Sequence, residues 1–128
     1  QNPYFTHKTK KIMLKIYGIA NCNTMKKTFD YLNEKGVPFE FHDYKKSGLA
    51  KEQLDTFIKV LGTEVVLNKQ GLTYKQLDDA TKQSLSDLNT LKSFLITKTS
   101  AIKRPILEQN GQFMAGFDSV NLDSWLTI

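Results

Sequence analysis

The sequence is poor in several residue types, and each scarcity excludes something. It has one cysteine, Cys22, so no internal disulfide can form and the fold is not stapled for an oxidising compartment. It has two histidines, His7 and His42, too few and too scattered with a single cysteine for a metal site. No apolar run approaches the ~18 residues that cross a bilayer, so no membrane span is expected. Arginine is nearly absent: of 18 basic residues, 17 are lysine and one is Arg104. Residues 1–12 lack the apolar middle of a secretory signal, which with the lone thiol makes a cytoplasmic protein the expectation. The net charge of +5 owes much to Lys8, Lys10 and Lys11; beyond residue 12 the balance is 15 basic against 13 acidic. Direct nucleic-acid binding is therefore not expected, since a functional basic patch would lie in the folded body.

What is present suits one domain. A length of 128 residues with eight Phe and five Tyr fills a single core. Residues 1–12, polar and not opening with Met, read as a tag remnant or a native disordered extension, and 13–128 as the domain. Residues 13–19 (MLKIYGI) alternate like a strand, and 24–35 carry Met25, Phe29 and Leu32 at helical spacing before Gly36 and Pro38. A second strand follows over 39–44, with a crossover of the length a parallel βαβ unit needs. Residues 51–61 predict a helix, 62–72 an irregular stretch, 73–77 a short helical piece and 84–98 an amphipathic helix capped by Ser84. Strands over 104–109 and 112–117 flank Asn110-Gly111, a strong hairpin signal, and 118–126 predict a closing helix. The order is βαβ, a helical insertion between strands 2 and 3, then ββα: an α/β, thioredoxin-like plan with a mixed sheet. A monomer is expected.

Cys22 follows strand one and precedes helix one, where unpaired N–H groups and the positive helix end favour a thiolate. A buried, inert cysteine is the alternative, against which stand the polar flanks Asn21, Asn23 and Thr24. Lys26 and Lys27 add positive potential, and the Asn23 and Thr24 N–H groups would line the sulfur's pocket. Cys22 to Met25 keeps a C-x-x-C frame without its second sulfur, so exchange needs an outside thiol. Arg104-Pro105 opens a strand, where the arginine fork could hold an oxyanion or carboxylate beside Cys22; the peptide isomer is open at this point. A Cys22–His42 pairing is disfavoured, because successive strand residues face opposite ways.

Five blocks, YGIANCNTMKK (17–27), FEFHDYKKSGL (39–49), LNKQGLTYKQL (67–77), IKRPILE (102–108) and GQFMAGF (111–117), resemble the arsenate reductase-like (ArsC) family, in particular its Spx/MgsR and YffB-like branch. The resemblance implies a thioredoxin fold, a nucleophilic Cys22 and a cis Pro105. Arsenate reductases of this type use three arginines; only the one at Arg104 is matched, with Asn68 where the second is expected, Lys69 beside it, and no third near Phe117-Asp118. Losing such donors weakens charge stabilisation, so arsenate reduction is disfavoured. The resemblance points instead to a thiol reductase of unknown substrate with catalytic Cys22 and Arg104. Asn21, Asn23, Thr24, Lys26, Lys69 and Pro105 form the binding surround. No cofactor is expected to be bound; glutathione is the co-substrate, or a glutaredoxin-like thiol the donor. The alternative is an Spx-like regulator that contacts RNA polymerase.

Overall fold

The computed structural model describes residues 13–126, so the expected extension over 1–12 lies outside the described residues. Strand β1 (Leu14–Gly18) alternates between two cores. Leu14 and Ile16 pack with Met25, Leu32, Leu107 and Leu122 on one face. Tyr17 and, just beyond the strand, Ile19 pack with Leu54, Phe57, Leu95 and Ile106 on the other. Each fully buried aliphatic or aromatic side chain contributes roughly 1.5–3 kcal/mol relative to exposure. β1 is thus clamped from both sides, and so is the point where the chain leaves it for the cysteine loop.

Helix α1 (Asn23–Glu34) buries Met25, Thr28 and Leu32 and returns the chain to β2 (Phe39–Asp43). β2 runs parallel to β1, with Leu14 opposite Phe39 and Gly18 opposite Asp43. β3 (Ile106–Gln109) and β4 (Gln112–Ala115) form the hairpin, turning through Asn110 and Gly111 at φ 51° and 76°. Two successive positive φ values are what a two-residue hairpin turn requires. β3 lies antiparallel to β1, which gives the order β2-β1-β3-β4. The four-stranded mixed sheet is the thioredoxin-like plan expected from the sequence.

Between β2 and β3 lies the helical insertion: α2 (Tyr44–Ser47), α3 (Lys51–Leu61), α4 (Thr63–Val66), α5 (Leu72–Lys75), α6 (Asp79–Ser84) and α7 (Leu88–Thr97), then a 3-10 turn over Thr99–Ala101. Two expectations need correction. The stretch 62–72 is not wholly irregular, because its Val65-Val66 pair turns as α4. The helix expected over 84–98 starts late: Ser84 is the last residue of α6, and α7 begins at Leu88. The Ser84 hydroxyl donates back to Thr81 O at 2.6 Å instead of capping the next helix. Asp87 caps α7, accepting from the Thr90 N–H at 3.0 Å and the Thr90 hydroxyl at 2.8 Å. Asp87 directly precedes α7, so its acceptor-only carboxylate is the one in reach of the first-turn N–H groups. After β4, α8 (Ser119–Trp125) is capped by Asp118. No helix among the described residues is long and apolar enough to cross a membrane.

Candidate functional site

The chain leaves β1 at Gly18, passes the buried Ile19 and bends at Ala20-Asn21. The Cys22 N–H donates to Ala20 O at 3.1 Å, and the Cys22 carbonyl accepts from the Lys26 N–H at 2.9 Å, which starts the helix. Cys22 is therefore the N-cap residue of α1, in extended conformation at φ −154° and ψ 133°. It makes no side-chain cap hydrogen bond, and no acidic residue sits in the first turn of α1. The helix end is left with its donors facing a sulfur. Burial pushes the Cys22 thiol up, but the Met25 N–H, the Arg104 side chain and the Thr24 N–H together outweigh it, so its pKa is lowered. Cys22 is partly exposed and lines two clefts, and so is open to a reagent as well as inclined to ionise.

Arg104 is fixed from behind. It precedes Pro105 through a cis peptide bond, and its Nη1 donates to Ser100 O at 2.8 Å. Ser100 belongs to the 3-10 turn and shares a 2.7 Å hydroxyl hydrogen bond with Thr73. The Arg104 Nε is buried with no hydrogen-bond partner among the described residues. Gly18 permits this assembly. A Cβ there would lie 2.5 Å from Met25 Sδ, 2.7 Å from Met25 Cε and 3.3 Å from Arg104 Cβ. Met25 is fully buried and cannot yield cheaply. Gly18→Ala is expected to cost about 1–3 kcal/mol in urea unfolding, as overpacking does. It should also disturb Cys22, because the Met25 amide and Arg104 both move; an unchanged Cys22 titration curve would contradict this.

Cys22 lies on a ridge between two clefts. The larger, about 620 Å³, brings Cys22 and Thr24 together with Arg104, Asn68, Gln70 and Lys103. The smaller, about 310 Å³, is lined by Asn21, Asn23, Lys26 and Phe29 beside Cys22. Of the residues singled out in the sequence, Cys22, Thr24 and Arg104 converge, with Pro105 buried behind them. Asn21, Asn23 and Lys26 lie on the far side of the sulfur. Lys26 is exposed and paired with Asp30 at 3.0 Å. Lys69 does not join either cleft: it pairs with Glu64 at 3.4 Å and lines a separate hollow with Tyr74 and Lys82. Its neighbour Asn68 does face the larger cleft, with Oδ1 accepting from the Gln70 N–H at 3.2 Å. His42 stands away from the sulfur, its Nε2 2.7 Å from Gly48 O and its ring against Tyr17. No metal-binding group of three or more His, Cys, Asp or Glu occurs among the described residues.

Two contributors escaped the sequence reading. One is the Met25 amide, which acts on the sulfur where the Asn23 amide was expected. With Cys22 as N-cap, the amides within its reach belong to the second and third helical residues, Thr24 and Met25. The polar, cap-competent Asn23 and Thr24 disguised that register. The other is Lys103, whose place on the cleft depends on a pairing between strands.

This arrangement can do thiolate chemistry: an ionisable, accessible sulfur, a fixed guanidinium and a polar cleft. Comparison with known proteins places the chain in a family. An uncharacterized protein of Haemophilus influenzae is 37% identical over 106 residues, covering 83% of this chain and 92% of its own. The global transcriptional regulator Spx of Streptococcus mutans is 27% identical over 120 residues, 89% of this chain and 83% of its own. The solved structure of a YffB protein is 36% identical and superposes with a TM-score of 0.83, covering 90% of this chain and all of that one. The ArsC family model matches residues 17–124, and on that match the chain belongs to the ArsC family.

Proposed function

We propose that this protein is a glutathione-linked thiol–disulfide oxidoreductase working through Cys22 alone. The observation that carries the reading is the placement of a partly exposed Cys22 at the N-cap of α1, on one cleft with Arg104. The Cys22 thiolate attacks the glutathionyl sulfur of a mixed disulfide. A new S–S bond joins Cys22 to glutathione, the old S–S bond breaks, and the partner leaves as a thiolate that takes a proton from water. A second glutathione thiolate then attacks the adduct, releasing oxidised glutathione and restoring Cys22. One mixed disulfide and one free glutathione thiol are consumed, and one partner thiol and one oxidised glutathione are formed, so the exchange balances without a bound cofactor. Arg104 steadies the negative sulfur before attack and again as Cys22 leaves.

The frame supports a one-sulfur route. Met25, which occupies the second C-x-x-C position, is fully buried in the core with Leu14, Ile16 and Leu107. A resolving sulfur has to come from another molecule. Incubation with oxidised glutathione followed by mass spectrometry is the direct test: one glutathionyl group should be found, on Cys22. Absence of the adduct across pH 6–9 would overturn the reading.

A second reading rests on the match to a transcriptional regulator. Here the protein contacts RNA polymerase, and its role does not need exchange at Cys22. Co-precipitation of RNA polymerase that persists in Cys22→Ser would favour this reading; its absence from the wild-type protein would remove it.

A further inference from the structure

The larger cleft holds a second cation that neither the exchange reaction nor the binding surround assigned from the sequence uses. Lys103 directly precedes Arg104, and its backbone N–H donates to Val66 O at 2.8 Å, tying the turn to the end of α4. Its side chain runs over Gly116. A Cβ on Gly116 would lie 3.5 Å from Lys103 Cε and 3.9 Å from its Nζ. Gly116 sits at φ +84°, a conformation that favours glycine, and its N–H donates to Pro105 O at 2.8 Å. The turn before the cis proline and the end of β4 are thereby locked together, with the ammonium lying across bare backbone.

The Lys103 ammonium has no ion pair among the described residues, whereas Lys26, Lys35, Lys69 and Lys92 each face a carboxylate. Asp118 also lines the cleft, but its carboxylate is turned to the start of α8, accepting from the Val120 and Asn121 N–H groups and from Asn121 Nδ2, and makes no ion pair with Lys103. Arg104 lines the cleft with Cys22 and favours its ionised form. Lys103 is the other cation on that cleft, without a carboxylate of the described residues in ion-pair range and on the same wall a thiol joined to Cys22 would meet.

We propose that Lys103 is a specificity-determining residue that selects disulfides whose thiol carries a carboxylate. The inference rests on the exchange reading above and narrows it to a substrate class to which glutathionyl disulfides belong. The carboxylate would sit on Lys103 while the adjacent sulfur meets Cys22. The chemical step is unchanged: the Cys22–S bond forms, the substrate S–S bond breaks, and the departing thiolate is protonated by water.

Three symmetrical disulfides test this: 3,3′-dithiodipropionate, which is anionic, bis(2-hydroxyethyl) disulfide, which is neutral, and cystamine, which is cationic. Adduct formation on Cys22 is followed by mass spectrometry, each rate being divided by that of the same disulfide with a small neutral thiol. At low ionic strength the wild-type protein should favour the anionic over the neutral probe by about tenfold, the lower end of electrostatic steering. The preference should shrink at 1 M salt. Lys103→Met should bring the ratio close to one, and Lys103→Glu should turn the preference toward cystamine. Lys59→Met, on the exposed side of α3, should behave as wild type. An anionic preference that survives Lys103→Met, or no preference in the wild type, overturns the proposal. Should no probe form an adduct, the exchange reading fails, and binding of the unreactive thioether S-methylglutathione, read by NMR titration, decides about Lys103 alone. Weaker binding by Lys103→Met then keeps the site, and equal binding removes it.

Discussion

Cys22→Ser should reduce turnover of a glutathione mixed disulfide to the uncatalysed background, a loss of at least ~100-fold for a vanished nucleophile, and should abolish the glutathionyl adduct. A serine hydroxyl is not ionised near neutral pH and forms no disulfide, and the chain has no second sulfhydryl to stand in. The same substitution supplies its own control for folding. Cys22 is the N-cap of α1 and makes no side-chain cap hydrogen bond; serine is among the preferred N-caps, worth about 0.5–2 kcal/mol over residues that cannot cap. The serine variant should therefore unfold at equal or higher urea concentration than the wild type while losing all exchange. Loss of activity with loss of stability would point to a structural role for the sulfur. Retained activity would remove Cys22 from the chemistry.

The second large effect belongs to Arg104. Replacing it by glutamine removes the charge that acts on Cys22 both by hydrogen bonding and by Coulomb attraction, so the thiol pKa should rise. A hydrogen bond to a charged group is worth about 1.5–3 kcal/mol, with the lower end apt at a partly exposed site. Below the thiol pKa of both proteins that is of the order of a tenfold loss of thiolate. Nucleophilicity partly offsets it, since a more basic thiolate attacks faster with a Brønsted slope of ~0.4–0.5. In that range the observed rate with a neutral disulfide should thus drop about threefold. Above the pKa of both proteins the order should reverse, with Arg104→Gln the faster. Crossing pH–rate profiles are the signature, because a merely destabilised variant is slower at every pH. Parallel profiles would show that Arg104 does not set the ionisation of Cys22.

The sequence made the scaffold readable for reasons that are local. Alternation in β1 and the left-handed Asn110-Gly111 turn act within a few residues, and both stand as expected. The break between α6 and α7 was hidden because Leu85, Leu88, Leu91 and Leu95 keep helical spacing straight through it. The cap bonds that Asp87 accepts from Thr90 reveal it. At the site, Cys22 and Arg104 were legible as residue types before special backbone positions. The surround was not. Lys69 and Asn68 are neighbours that diverge, so the cation turns away to Glu64 and the amide faces the sulfur's cleft. Lys103 acquires its place only when the Pro105–Gly116 pairing brings β4 beneath it. Nothing periodic in the chain records that juxtaposition.

The bare first turn of α1 has an energetic consequence for any molecule captured there. Once Cys22 is in a mixed disulfide it bears no charge, and with no Asp or Glu in that turn, nothing replaces the lost anion opposite the Thr24 and Met25 amides. Whatever the fold contributes to stabilising the free thiolate counts against the conjugate, as in oxidants whose reduced form is the favoured one. Captives are accordingly ejected rather than stored, and the bias toward ejection is set by a helix end left without a carboxylate of its own.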